Sequence, residues 1–151
     1  MTVEVLVLNL DSPLKIGIYH EGKLIKNYES EEKSSESLPK LFETILKEYK
    51  PSKLYFAKGP GSFMAIKVTY LFLKTLHLVK NIPLLATDGF IFNDNNPIKA
   101  MGKSYFIKDK NGNISLKVFK DEIKHPFMLP KNLPYESFSE DTLPLYHLPA
   151  V

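Results

Sequence analysis

The chain has 151 residues and contains no cysteine, no tryptophan and no arginine, so all 20 of its basic Lys and Arg positions are lysines. Without cysteine there is no disulfide, no thiolate nucleophile and no thiolate-bound zinc or iron–sulfur cluster. Without arginine there is no planar guanidinium to hold a phosphate or carboxylate through two parallel hydrogen bonds. Any chemistry must therefore come from lysines, carboxylates, hydroxyls or the 4 histidines.

The charged residues are nearly balanced and evenly spread. Residues 1–100 carry 13 lysines and 11 acids, and residues 101–151 carry 7 lysines and 6 acids, for a net charge of +3. This distribution lacks the basic half or tail that is typical of dedicated nucleic-acid-binding proteins. The first residues lack the positive segment of a signal peptide, and no run reaches the roughly 20 apolar residues of a membrane span. We therefore expect a soluble, cytoplasmic protein.

Hydrophobic periodicity predicts an α/β fold with the element order βββαβαβ. The predicted helices have apolar residues three and four apart, and the predicted strands are apolar throughout or alternate. An antiparallel meander followed by two parallel strands, each reached through a helix, implies one mixed sheet. The predicted strands are residues 3–10, 14–19, a third from 24, 54–57 and 82–86, and the predicted helices are residues 36–49 and 63–80.

The pattern is less regular after residue 88. Residues 104–107 and 114–119 predict a hairpin whose turn contains Asn111-Gly112. Five of the 11 prolines fall in the last 26 residues, so we expect this tail to wrap over the domain in extended form. We therefore predict an N-terminal lobe at residues 1–100 and a reduced C-terminal lobe with its tail at residues 101–151.

The strongest local motif is Gly59-Pro60-Gly61-Ser62-Phe63, which lies between a predicted strand and a predicted helix. Such a loop can hold a phosphate at a helix N-terminus, and Lys58 and Lys67 flank it. Its spacing matches neither a P-loop nor a dinucleotide fingerprint, and a tight turn with Ser62 as helix cap is the interpretation we favour. Asp11, after the first strand, is the one carboxylate where phosphotransfer folds place a metal-binding acid, but we favour the interpretation of Asp11-Ser12-Pro13 as a turn. The candidates for a loop near a nucleotide are Gly59, Gly61, Ser62 and Asp11.

No catalytic group and no metal site is predicted. The histidines lack the spacing of metal ligands, and Ser62 has no base nearby in the sequence that could activate it as a nucleophile. The histidines are His20, His77, His125 and His147.

The second predicted helix is apolar on two sides. One side can cover the sheet, and the other then needs either a protein partner or cover from the tail or the first helix. The sequence leaves open which side faces the sheet. The first stripe is Phe63, Ile66, Tyr70, Leu73 and His77, and the second is Met64, Val68, Leu71, Thr75 and Leu78.

Several segments, taken together with the hairpin start, resemble one known family. They are Ser35-Glu36-Ser37-Leu38-Pro39, Lys58-Gly59-Pro60-Gly61-Ser62-Phe63, Ile82-Pro83-Leu84-Leu85-Ala86 and Leu143-Pro144-Leu145-Tyr146. They resemble the TsaB (YeaZ) family over about the first 107 residues and the last dozen. The resemblance implies the actin-like ATPase (sugar kinase/Hsp70-like, ribonuclease H-like) fold. It also implies a non-catalytic subunit in the synthesis of N6-threonylcarbamoyladenosine (t6A) at position 37 of tRNA.

The resemblance further implies partners. It implies binding to the catalytic subunit TsaD through the two N-terminal helices, a small ATPase, TsaE, in the same complex, and homodimers through the same face. ATP and Mg²⁺ are then expected on the partner subunits and no cofactor on this chain alone, tRNA is contacted only through the complex, and no membrane is involved. The residues expected at the partner interface are Leu38, Leu41, Phe42, Ile45, Phe63, Ile66, Tyr70, Leu73 and His77.

Two departures from the family pattern bear on chemistry. The family has an Asp–Thr–Ser turn after the first strand, where this chain has Asn9-Leu10-Asp11, and Thr-Gly-Leu-Arg after the glycine loop, where this chain has Met64-Ala65-Ile66-Lys67. Asn9 removes the charge that would hold a metal. Two alternatives stay open. One is a stand-alone nucleotide-binding phosphotransfer enzyme using residues 59–62 and Asp11. The other is a homodimeric regulator or peptidase-like protein, for which we see no catalytic constellation.

Overall fold

The computed structural model describes residues 1–146, and its centre is a five-stranded mixed sheet in the order β3-β2-β1-β4-β5. β1, β2 and β3 form an antiparallel meander, and β4 and β5 join β1 in parallel. The predicted order βββαβαβ and the single mixed sheet are confirmed. The elements are β1 (Thr2–Leu8), β2 (Leu14–His20), β3 (Lys23–Ser30), α1 (Ser34–Glu48), β4 (Lys50–Ala57), α2 (Phe63–Lys80) and β5 (Leu84–Thr87).

The sheet is buried on both faces, which explains the nearly continuous apolar run of β1. Side chains alternate across a strand, so Val5 and Val7 point to one face and Leu6 and Leu8 to the other. Both helices cover the first face, where the rings of Phe42 and Phe72 meet edge to face at 5.2 Å. The C-terminal part of the chain covers the second face.

A second, three-stranded antiparallel sheet follows, with β6 (Ile98–Met101), β7 (Ser104–Lys108) and β8 (Ile114–Val118). Its β7–β8 turn lies where the sequence predicts it: the Asp109 carboxylate accepts hydrogen bonds from the Asn111 and Asn113 amides, and Gly112 has a φ of 84°. These backbone hydrogen bonds lower the pKa of Asp109. The four-residue strand β6 is an addition that the sequence pattern did not predict.

The tail forms backbone hydrogen bonds with both edge strands of the five-stranded sheet, β3 and β5. At the β3 edge, the Leu24 amide donates to the Lys131 carbonyl at 2.9 Å. At the β5 edge, Ser139 and Ala86 exchange two backbone hydrogen bonds, each of 2.9 Å. Between these points the chain crosses the face opposite the helices and packs Phe138 into the core. The division into lobes at residue 100 stays a prediction.

Candidate functional site

The carboxyl ends of β1, β4 and β5 lie side by side because these strands are parallel neighbours. In open α/β sheets this is the edge where ligands bind. The loops at residues 9–13, 58–62 and 88–89 meet here: the Ser62 amide donates to the Leu10 carbonyl at 2.8 Å, and the Gly89 amide donates to the Gly59 carbonyl at 2.9 Å. The structure thus brings the predicted glycine loop beside the end of the first strand.

Asn9 is buried at this edge, with 4% of its surface exposed. Its side-chain amide donates to Ser34 Oγ at 2.8 Å, to Thr69 Oγ1 at 2.9 Å and to the Ala65 carbonyl at 3.3 Å. Asn9 therefore joins the end of β1 to the first turn of α1 and the first two turns of α2, and it carries no charge for a metal. Sequence reasoning identified the missing acid and missed this structural role.

The glycines of the loop allow close packing within the chain. A Cβ atom on Gly61 would lie 2.7 Å from the Leu10 carbonyl oxygen. At Gly59 it would lie 2.7 Å from the Leu145 carbonyl oxygen, and the backbone φ there is +128°, which favours glycine. Ser62 caps α2, its side chain accepting from the Ala65 amide. The geometry is that of a tight turn with a cap, and a phosphate role for Gly59, Gly61 and Ser62 stays a prediction.

Residues 141–146, which we call the C-terminal strap, lie over the glycine loop. The Leu145 amide donates to the Lys58 carbonyl at 2.8 Å, and the Tyr146 ring lies 4.6 Å from that of Phe63. The Lys58 ammonium donates to the Asp141 carbonyl at 2.9 Å and lies 3.5 Å from its carboxylate. Partial desolvation of its phenol, followed by the nearby Tyr70, raises the pKa of Tyr146. The chain's own tail therefore occupies the outside of this loop and engages Lys58.

Asp88, which follows β5, is also engaged by the chain itself. Its carboxylate accepts from the Phe90 amide at 2.9 Å and from the Lys108 ammonium at 2.6 Å. The second contact ties β7 of the small sheet to the same edge. Within residues 1–146, the polar groups at the ends of the three parallel strands are thus largely taken up by internal hydrogen bonds.

Asp11 lies between two cavities. The smaller, of about 250 Å³, contains three carboxylates and one lysine, and this excess of negative charge disfavours a phosphate. The larger, of about 510 Å³, also has mixed charge, and its Lys15 ammonium is already bound to the Phe127 carbonyl at 2.6 Å. The charged residues of the smaller cavity are Asp11, Glu31, Glu32 and Lys33.

No group of three or more histidines or carboxylates within residues 1–146 is arranged to hold a metal ion. His77 Nδ1 lies 2.6 Å from the Ile82 carbonyl, and His20 Nδ1 lies 3.3 Å from the Thr2 carbonyl. His125 lines the larger cavity, and His147 lies outside the described residues.

The structure decides which stripe of α2 faces the sheet. Five of the nine residues expected at a partner interface are at most 1% exposed and belong to the core of this chain. A partner cannot reach side chains that are so deeply buried, so we correct the expected surface by removing them. They are Leu38, Phe42, Ile45, Ile66 and Leu73. The remaining four, Leu41, Phe63, Tyr70 and His77, are half-buried, and their role at an interface stays a prediction.

We call Met64, Val68, Leu71, Thr75 and Leu78 the outer stripe of α2. Four of these residues are exposed, and the fifth, Val68, is half-buried and packs against the core. Met64, Leu71 and Leu78 follow each other at intervals of seven residues and are 62%, 53% and 70% exposed. Val79 beside them is 76% exposed. Four large apolar side chains are thus exposed along α2, and exposed apolar surface of this kind is typical of protein interfaces. Within residues 1–146, no helix has the length and apolar character needed to cross a membrane.

No family model and no curated protein matches this sequence. Solved structures do match the fold, among them the following two. YeaZ from Pseudomonas aeruginosa has a TM-score of 0.61 and 14% identity, over 78% of this chain and 65% of that one. An uncharacterized protein with similarity to peptidase YeaZ from Pseudomonas aeruginosa has a TM-score of 0.59 and 14% identity, over 78% of this chain and 64% of that one. The chain thus spans less than two thirds of their length. Over the shared region its mixed sheet and two helices have the fold of the YeaZ structures, and at that level the predicted resemblance is confirmed.

Proposed function

We propose that this chain is a non-catalytic subunit of the machinery that makes t6A at position 37 of tRNA. In this proposal it binds a TsaD-like catalytic subunit through the outer stripe of α2 and supports its activity. One observation carries the proposal: on a fold shared with YeaZ, Met64, Leu71 and Leu78 form an exposed apolar row. Burying such a side chain is worth about 1.5–3 kcal/mol, so the row favours association with a partner.

The contacts at the carboxyl ends of β1, β4 and β5 support a non-catalytic role. Asn9 is engaged with both helices, Lys58 with Asp141, and the glycine loop with Leu10 and the strap. In this proposal ATP and Mg²⁺ are bound by the partner subunits, which include a TsaE-like ATPase. This chain contacts tRNA only through the complex. The same contacts weigh against the stand-alone phosphotransfer enzyme, and no observation favours the peptidase-like alternative.

Co-purification with a TsaD-like subunit tests the proposal. Leu71→Glu places a charge in the middle of the outer stripe, where it would have to be desolvated on binding. Val118→Glu is the matched control, because Val118 is 73% exposed on β8, outside α2. We expect the first variant to lose association and to lower tRNA modification in a reconstituted reaction, and the second to behave as the unaltered chain. Equal association of both variants would contradict this interface.

A further inference from the structure

Helix α2 has an unusual charge pattern beside its outer stripe. Its 18 residues contain Lys67, Lys74 and Lys80 and no aspartate or glutamate. At about 100° per residue, Lys67 and Lys74 lie within roughly 60° of Leu71 around the helix axis. Both therefore follow one flank of the exposed apolar row.

These lysines are not neutralised by the chain itself. The ion pairs within residues 1–146 engage Lys26, Lys47, Lys58, Lys99 and Lys108, and none engages a lysine of α2. Glu140 shares a cavity of about 470 Å³ with Lys74 and His77 but forms no ion pair there. The flank is therefore a positive edge with its donors available.

We propose that the outer stripe binds a partner helix whose apolar seam is flanked by acidic residues, in preference to a second copy of this chain. This inference rests on the proposed function and names the chemistry of the partner surface. An apolar row that repeats every seven residues matches the apolar seam of a second helix packed at a shallow angle. Charges beside the seam determine which partner binds. In a contact between two α2 helices, the flanking charges would all be positive and none negative, which opposes self-association.

Two lactam-bridged helical peptides test this preference. They share an apolar seam of leucines, and the flanking positions are glutamate in one peptide and lysine in the other. We expect the acidic peptide to bind at least about tenfold more tightly at about 50 mM salt, with the difference shrinking at high salt. The double variant Lys67→Glu/Lys74→Glu should reverse the preference, and Leu71→Glu should abolish binding of both peptides, whereas Val118→Glu should change neither.

Three outcomes would overturn the inference. The first is equal or no binding of the two peptides, and the second is a dimer of the isolated chain in sedimentation that Leu71→Glu dissolves. The third is Leu71-dependent binding to vesicles of phosphatidylcholine and phosphatidylserine that exceeds binding to the acidic peptide. Failure of this inference can be told apart from failure of the proposed function. A chain that prefers the acidic peptide but does not bind a TsaD-like subunit would support this inference and contradict the proposed function.

Discussion

The side-chain amide of Asn9 donates a hydrogen bond to Thr69 Oγ1 at 2.9 Å, which joins the end of β1 to α2 across 60 positions of sequence. The same amide reaches Ser34 Oγ at the start of α1. A position where an acid would serve phosphotransfer chemistry therefore holds two helices against the sheet. Because α2 presents the outer stripe, this buried contact also sets where that stripe lies.

Asn9→Ala should destabilise the fold. The variant leaves the hydroxyls of Ser34 and Thr69 without this donor, and an unsatisfied buried polar group costs about 1–3 kcal/mol. We expect the free energy of unfolding in urea to fall by that amount. Asn27→Ala, at an exposed position of β3, is the control and should change it by less than about 0.5 kcal/mol. An Asn9→Ala variant as stable as the control would contradict the structural role of Asn9.

Glutamate substitutions on α2 should separate its two stripes. Ile66 is 1% exposed, so Ile66→Glu buries an unpaired carboxylate and should destabilise the fold by more than about 3 kcal/mol. Leu71 is 53% exposed, so Leu71→Glu should change stability by less than about 0.5 kcal/mol. Thermal unfolding followed by circular dichroism measures both. Similar melting temperatures for the two variants would show that the helix is rotated from the orientation described above.

Gly61→Ala should be costly for reasons of space. Its Cβ would lie 2.7 Å from the Leu10 carbonyl oxygen and 2.8 Å from the Leu10 Cβ, so the glycine loop and the loop after β1 would have to separate. Overpacking of this kind costs about 1–3 kcal/mol. At Gly102 nothing lies within 4 Å and only the φ of 57° opposes a side chain, so Gly102→Ala should cost about 1 kcal/mol. If chemical denaturation finds the Gly61 variant the more stable of the two, the close approach is incorrect.

Alkaline pH should lower the free energy of unfolding through two tyrosines that share the Glu4 carboxylate. The Glu4 carboxylate accepts hydrogen bonds from Tyr55 at 2.5 Å and from Tyr135 at 2.6 Å, across 131 positions of sequence in the second case. Desolvation by burial, followed by these hydrogen bonds and the Glu4 charge, raises the pKa of Tyr135 to about 12 and that of Tyr55 further. Because the unfolded phenols have pKa values near 10, the folded state binds more protons above that pH. This contribution to stability is complete below about pH 10 and is lost as the pH rises toward 12.

Urea unfolding between about pH 8 and 11.5 measures this dependence. We expect the free energy of unfolding to fall with rising pH in the unaltered chain, and to fall less steeply in Tyr135→Phe, which lacks one of the phenols. Tyr49→Phe, at the C-terminal end of α1, is the control and should keep the original slope. A slope unaffected by Tyr135→Phe would rule out its part in the alkaline response.

Secondary structure in this chain could be predicted from local patterns. The period of apolar residues identifies α2 at residues 63–80 without error, and α1 within two residues at its start, because a helix or strand buried on one side repeats its apolar positions with its own geometry. Turn chemistry likewise located the β7–β8 hairpin through Asn111 and Gly112. The strand β6 was not predicted because its sequence Ile98-Lys99-Ala100-Met101 is interrupted by a lysine, whereas the equally short β5 lies in a continuous apolar run.

The candidate site depended on contacts between distant segments. A sequence that is apolar around most of a helix does not say which side meets the sheet, and only the packing of Ile66 and Leu73 decided that Met64, Leu71 and Leu78 face outward. The same holds for Asn9 with Thr69 and for the strap on Gly59, because these partners are brought together by chain topology and have no periodic signature. Local composition determined the elements and the absence of arginine and cysteine chemistry. Tertiary packing decided which surfaces remain exposed for a partner, since exposure depends on what the rest of the chain covers.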